Sequence, residues 1–294
     1  MIDLLAVSSA SSPAHIPVLH AIVLGVTQGL SEFLPISSSG HLILVPWLFD
    51  WKEFTGPENA DLNRTFDVAL HIGTFVGAAA YFRSDLRRLG GAALGSLRRR
   101  SVRTPDERMA WLLLVSSIPG AVIGALLEAT IGDALTQIWL IAVLLIVFGL
   151  VLLAADRAGG DRAENEFRLR DALVMGLAQS VALSPGVSRS GITITAGRWL
   201  GFDRDATARL SFLMSLPIIG GAALYQGIEV LAEGGLPPGT APAFAWGIVA
   251  SGITGAAAVW GVLRLIRTRS FTPFVVYRVV AGASVLGLLA SKFR

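Results

Sequence analysis

The chain has no cysteine among its 294 residues. That excludes a disulfide staple, a Cys-ligated zinc and a thiol nucleophile at once. Charge is also scarce. Only 15% of the residues are Asp, Glu, Lys or Arg, against about 25% in an ordinary soluble domain. No Lys or Arg precedes Lys52, so the basic flank of a secretory signal is missing and no cleavage is expected. The rest is apolar. Hydrophobic residues make up 53% and the mean hydropathy is +0.64, the composition of an integral membrane protein. The pI of 9.8 raises nucleic acid as a partner. The basic residues cluster at the ends of apolar runs instead, which is a topology pattern, so no nucleic acid is expected.

Six stretches meet the roughly 20-residue criterion for spanning helices, at 66–83, 110–128, 135–155, 209–231, 243–266 and 272–290. The connection 84–108 carries Arg87, Arg88, Arg98, Arg99, Arg100, Arg103 and Arg108, which marks it as cytoplasmic by the positive-inside rule. Arg157, Arg162, Arg168 and Arg170 do the same for 156–171, and Arg264, Arg267 and Arg269 for 267–271. Connections 129–134 and 232–242 lack Lys and Arg and are expected outside. Six spans then place both termini outside. Trp139, Trp199, Trp246 and Trp260 read as interfacial anchors or packing.

Two further segments are polar and broken. One reads Gln28-Gly-Leu-Ser-Glu32-Phe-Leu-Pro35-Ile-Ser37-Ser38-Ser39-Gly40-His41, and the other Ser184-Pro185-Gly186-Val-Ser188-Arg189-Ser190-Gly191-Ile-Thr193. Each interrupts an apolar stretch, 16–50 and 172–200, with proline and glycine, which end helices and permit sharp returns. A single crossing by either would break the arginine alternation, so both are predicted to be re-entrant hairpins. They also repeat. Gly25-Val-Thr-Gln28 through Ser37-Ser38-Ser39-Gly40 matches Gly176-Leu-Ala-Gln179 through Ser188-Arg189-Ser190-Gly191 at a constant offset of 151. Weaker echoes pair Gly77-Ala-Ala-Ala-Tyr81 with Gly221-Ala-Ala-Leu-Tyr225. One hairpin plus three spans per half is an odd count, so the halves must be inverted relative to each other. The expected fold is an all-α membrane bundle of inverted-topology repeats, six transmembrane helices plus two re-entrant helix hairpins. It forms one membrane domain over 1–294, with halves at 16–155 and 171–290. Small-residue runs such as Gly220-Gly-Ala-Ala223 are predicted to let helices approach closely.

Ionisable groups at membrane depth are disfavoured by roughly 2.5–3.5 kcal/mol each and point to function. Arg189 offers a fork of donors that matches phosphate oxygens. Ser188, Ser190, Gly191 and Thr193 surround it at a helix start, which makes an anion site. The plainer alternative is an Arg snorkelling or paired with a carboxylate. Glu32 and Gln28 lie four apart on one helix face and offer oxygens suited to Mg²⁺ or Ca²⁺. Glu32 is alternatively a general base, or merely the partner of Arg189 that holds the hairpins together. His41 follows a serine run in which Ser37, Ser38 and Ser39 are nucleophile candidates, or simply turn residues. His15, His20 and His71 are expected to be structural. Asp67 is a weaker candidate for a cation site.

At these residues the chain closely resembles the undecaprenyl-diphosphatase family, the bacitracin-resistance membrane phosphatases. Gln28 and Glu32 stand for its Glu/Gln-x-x-x-Glu motif, Ser37 to Ser39 and His41 for the serine turn, and Pro185 to Thr193 for Pro-Gly-x-Ser-Arg-Ser-x-x-Thr. Phe274, Tyr277 and Arg278 match a Phe-x-x-Tyr-Arg run. The resemblance implies phosphate release from undecaprenyl diphosphate in the bacterial inner membrane, at a site that opens outward and needs a divalent cation. Its core set maps to Glu32, Ser38, His41 and Arg189. Many members carry Glu where this chain has Gln28, which leaves Glu32 with more of any metal. The expected mechanism has Ser38 attack with His41 as its base; attack by His41 itself or by water stays open. Gln28, Ser37, Ser39, Ser188, Ser190, Gly191 and Thr193 are expected around the substrate. The acid-phosphatase type of lipid phosphatase is excluded, because Thr195 stands where it needs a histidine. A transporter or flippase for a polyprenyl-phosphate lipid is the competing class. A homodimer is left open by the sequence.

Overall fold

A computed structural model describes residues 16–54, 59–127, 133–232 and 235–293. His15 and parts of the connections 129–134 and 232–242 lie outside the described residues. The described residues form eleven α-helices and no β-strand. The first hairpin is α1 (Val18–Phe33) and α2 (Ser38–Phe49), and the second is α7 (Leu169–Val181) and α8 (Arg189–Trp199). With 16, 12, 13 and 11 residues, they reach about 24, 18, 20 and 17 Å at 1.5 Å per residue. None covers a hydrocarbon core of roughly 30 Å. Between and after them run α3 (Ala60–Tyr81), α4 (Arg83–Arg99), α5 (Pro105–Leu127), α6 (Ile138–Arg157), α9 (Arg204–Ala232), α10 (Ala241–Ile266) and α11 (Thr272–Ala290). The last five of these seven, α5, α6, α9, α10 and α11, are each long and apolar enough to cross a membrane.

The sixth expected span is more complicated. Helix α3 meets the criterion only together with α4, from which it is bent by 87°. Asp61, Asn63, Arg64, Asp67 and His71 make α3 too polar to qualify alone. The segment 84–108 is therefore no plain connection, because most of it is α4. Leu86, Leu89, Gly90 and Ala93 recur there at helical spacing and turn toward α5 and α9, while Arg88 and Arg99 pair with Asp106 and Glu107 at the start of α5. This is an amphipathic helix.

The hairpin of each expected half packs on a span of the other: α1 lies against α10, and α7 against α5. Helix α3 packs on α10 as α5 does on α9. Trp139, Trp199, Trp246 and Trp260 are all exposed, as lipid-facing anchors require. At the arginine-rich end, Asp156 of α6 accepts from Arg204 Nε at 2.6 Å and from the Phe271 amide at 3.1 Å, tying α6, α9 and α11 together.

The α3–α10 contact is close enough that only glycine fits. A Cβ on Gly77 would lie 2.2 Å from the Gly252 carbonyl oxygen. Gly221, its counterpart in the weaker repeat, has nothing within 4 Å of such a Cβ. Gly77→Val is expected to destabilise the protein by roughly 1–3 kcal/mol or more. Gly221→Val should be near neutral. Thermal denaturation in detergent checks the ranking, and the reverse order would contradict this packing.

Candidate active site

Both hairpins turn through a serine in the left-handed region, Ser37 at φ 79° and Ser188 at φ 76°. These are the residues before α2 and α8 and correspond in the repeat. The strain is held by bonds that cross between hairpins. Ser37 Oγ accepts from the Gly186 amide at 3.0 Å, and Ser190 Oγ donates to the Leu34 carbonyl at 3.0 Å. Arg278 on α11 completes the knot. Fully buried, it donates to the carbonyls of Leu145 (3.0 Å), Pro35 (3.2 Å), Leu144 (3.3 Å), Gly186 (2.8 Å) and Val187 (3.0 Å). One guanidinium thus satisfies backbone from both turns.

The first residues of α2 and α8 are Ser38 and Arg189, so two helix N-termini converge where these side chains meet Glu32. Glu32 Oε1 is paired with Arg189 Nη2. Its Oε2 accepts from Ser38 Oγ at 2.6 Å and from Gln28 Nε2 at 2.9 Å. His71 Nε2 stands 3.6 Å from the same oxygen. The cavity around them measures about 290 Å³. Glu32, Ser38, Ser39, His71, Gln179, Ser188 and Arg189 supply its polar lining, and α9 contributes Ile218, Ile219, Ala222 and Ala223.

The expected site residues divide into two layers. Glu32, Ser38, Ser39, Ser188 and Arg189 line the cavity. Gln28, Ser37, Ser190, Gly191 and Thr193 form the wall behind it. Thr193 Oγ1, for example, is spent on the Arg189 carbonyl at 2.8 Å and Ser211 Oγ at 2.6 Å. His41 departs most from expectation. Its Nδ1 bonds to the Ser37 carbonyl at 2.7 Å, so that nitrogen carries the proton, and Nε2 meets Tyr277 Oη at 2.7 Å. The ring stacks on Tyr277 at 5.6 Å and faces α11. The group that Ser38 Oγ meets is the Glu32 carboxylate and not the imidazole, which the Ser37 carbonyl and Tyr277 hold elsewhere.

His71, expected to be structural, lies in the cavity. Its Nδ1 donates to the Asp67 carbonyl at 2.7 Å, which leaves Nε2 facing Glu32. Asp67 contributes that carbonyl and not a cavity-lining carboxylate. Gln179 was visible as the repeat mate of Gln28, yet the pattern offered no role for it. Nothing local in the sequence pointed to His71, since its partner lies 39 positions away.

The residues suit a divalent cation only as an open site. Among the described residues no group of three or more His, Asp or Glu is placed to hold a metal. Gln28 Oε1, however, is buried without a hydrogen-bond partner, one turn behind Glu32. Gln28 turns its Nε2 to Glu32; with that amide reversed, a carboxylate and an amide oxygen would fit a hard cation that keeps waters and takes phosphate oxygens as its remaining ligands.

Over residues 21–284 the chain matches the model of the bacitracin resistance protein family BacA. The chain belongs to the BacA family. Relatives of this BacA member named undecaprenyl-diphosphatase include one from Pelobacter propionicus, 46% identical over 92% of this chain and 97% of the relative. Another, from Geobacter sulfurreducens, is 45% identical over 94% and 99%. A third, from a Nocardioides species, is 44% identical over 93% and 97%.

Arg278→Met would strip five carbonyls of their donor, at about 1–3 kcal/mol for each group left unsatisfied. Hydrogen exchange should then show lost protection at 34–37 and 184–188 while α5, α6 and α10 stay protected. Arg278→Lys should keep part of that protection. Unchanged exchange in the Met variant would refute the role.

Proposed function

We infer that this chain is a membrane phosphatase that hydrolyses undecaprenyl diphosphate to undecaprenyl phosphate and inorganic phosphate. This returns the lipid carrier to cell-wall (peptidoglycan) synthesis and confers bacitracin resistance. The observation that carries the reading is the convergence of two helix N-termini, Arg189 and a Glu32–Ser38 hydrogen bond in one cavity. The relatives' shared name agrees with it. One domain of two inverted halves, 16–155 and 171–290, lies in the bacterial inner membrane as a multi-pass protein. Its arginine-rich ends face the cytoplasm and both termini lie outside, so the cavity opens outward.

The diphosphate enters with its negative charge toward the starts of α2 and α8, where helix dipoles and exposed amides favour an anion. Its oxygens compete with Glu32 for Arg189, and Ser188 and Ser39 border the same space. Ser38 Oγ attacks the terminal phosphorus while its proton passes to Glu32 Oε2, which already accepts its hydrogen bond. Undecaprenyl phosphate departs. Water then cleaves the phosphoserine, and Glu32 returns the proton to Ser38. Arg189 supplies charge stabilisation, the main catalytic contribution in phosphoryl transfer. Glu32 and Gln28 would hold Mg²⁺ or Ca²⁺, which supplies neutralisation of phosphate charge. His41 serves this chemistry as a positioning residue that fixes the Ser37 turn. A polyprenyl-lipid transporter would need the anion site but no serine hydrogen-bonded to a carboxylate, and that bond favours hydrolysis.

Purified protein in detergent should release phosphate from undecaprenyl diphosphate with Mg²⁺ or Ca²⁺ and stop with EDTA. Arg189→Ala should lower kcat by about 10³-fold or more. Near-normal kcat in that variant would overturn the assigned role. No release from protein that still binds the lipid would favour the transporter. Gln28→Glu should leave activity intact or tighten the metal requirement; a severe loss would mean that its amide hydrogen bond to Glu32 is indispensable.

A further inference from the structure

A second depression, of about 280 Å³, lies next to the active-site cavity. Its lining is apolar throughout: Phe75 of α3, Leu86, Gly90 and Ala93 of α4, and Leu114 and Leu213 of α5 and α9 are among the residues that form it. The same three helices build both depressions. On α3 the active-site residues Val68 and His71 are followed by Phe75 one turn on. On α9 Pro217 of the groove precedes Ile218 of the cavity. On α5 Leu113 of the groove lies two turns before Gly120 of the cavity. The two hollows therefore lie in succession along α3, α5 and α9, the first polar at the hairpin tips and the second apolar toward the arginine-rich end. Phe75 stands at their junction, its ring packed 3.0 Å from where a Gly220 Cβ would be. Helix α4, bent 87° from α3, closes the far end.

We propose that this groove between α3, α4, α5 and α9 is the binding site for isoprene units of the substrate's prenyl chain beyond the first two. The proposal rests on the phosphatase reading, since it takes the diphosphate to lie at Glu32, Ser38 and Arg189. A headgroup held there, within the bundle, must send its chain out through apolar surface, and the groove is the apolar hollow that follows the cavity along α3, α5 and α9, past Phe75. Its lining offers no polar side chain, so it can hold hydrocarbon but not phosphate. Burial of the methylenes that reach the groove would add affinity that a two-unit chain lacks. The groove thus makes the enzyme favour long prenyl chains over short ones through KM, with the chemistry at Ser38 unaffected.

Filling the groove tests this without touching the catalytic residues. A Cβ on Gly90 meets nothing within 4 Å, so Gly90→Trp can extend into the groove without straining the backbone. Gly91 is equally unobstructed but does not line the groove, and Gly91→Trp is the matched control. Ala93→Trp is a second plug from the same helix. Kinetics are measured in lipid nanodiscs with undecaprenyl diphosphate and with geranyl diphosphate, whose short chain ends before α4. The two plugs should raise KM for the undecaprenyl substrate about tenfold, the loss expected from a few unburied methylenes. kcat should stay near wild type, and geranyl diphosphate and the Gly91→Trp control should be unaffected. An unchanged KM in both plugged variants would overturn the proposal and leave the groove to bulk lipid. Equal losses on both substrates would overturn it as well, because the plugs would then act on the headgroup. If wild type hydrolyses neither substrate, the phosphatase reading itself fails, which is a distinct result.

Discussion

Everything in this protein depends on backbone that is broken at a depth where water cannot satisfy it. Re-entrant turns leave carbonyls and amides without helical partners, and each is costly in a membrane unless the protein supplies one. Arg278 donates to three of the turn carbonyls, those of Pro35, Gly186 and Val187. A buried arginine with its donors spread over carbonyls of α6 and both turns is a way to keep two loops rigid. Lipid could never do this. The crossed bonds of Ser37 and Ser190 lock the turns to one another, so the hairpins form one body and not two. That rigidity lets Ser38 and Arg189, each the first residue of a short helix, meet over a single carboxylate.

The electrostatics follow from that convergence. Glu32 and Arg189 neutralise each other, which offsets the penalty of two charges at this depth. The pair alone could be purely structural, and the sequence admits that reading. Its surroundings argue otherwise: a carboxylate that also receives Ser38 and Gln28, with His71 nearby, opens onto a cavity and not onto packed side chains. In the proposed mechanism an arriving diphosphate brings the charge that frees Glu32 from Arg189. Substrate binding and release of the base are then one event.

Much of this was legible in the sequence, for identifiable reasons. Apolar length marks the spans: five of the six expected ones fall on helices long enough to cross a membrane, and 66–83 falls on α3 and its bend into α4. Proline and glycine beside polar residues mark both breaks, and the motifs bring Glu32, Ser38 and Arg189 together correctly. What was hidden depends on tertiary direction. His41 lies three residues from Ser38 and reads as its base, but the Ser37 carbonyl and Tyr277 hold it toward α11. His71 is an unremarkable histidine until α3 presents it to Glu32. In 84–108 the arginines suggest a loop and mask the Leu86-Leu89-Ala93 stripe that makes α4 a helix. The Phe-x-x-Tyr-Arg run marks Arg278 but not its role, since its partners are carbonyls of α6 and of the two turns.

The most direct test of the account asks where the phosphoryl group goes. Undecaprenyl diphosphate labelled on its terminal phosphate would be mixed with enzyme, quenched within one turnover, and the attached label characterised. The account predicts an acid-stable phosphoserine that maps to Ser38 and disappears, with activity, in Ser38→Ala. An acid-labile, alkali-stable phosphohistidine, or undiminished hydrolysis by Ser38→Ala, would contradict it.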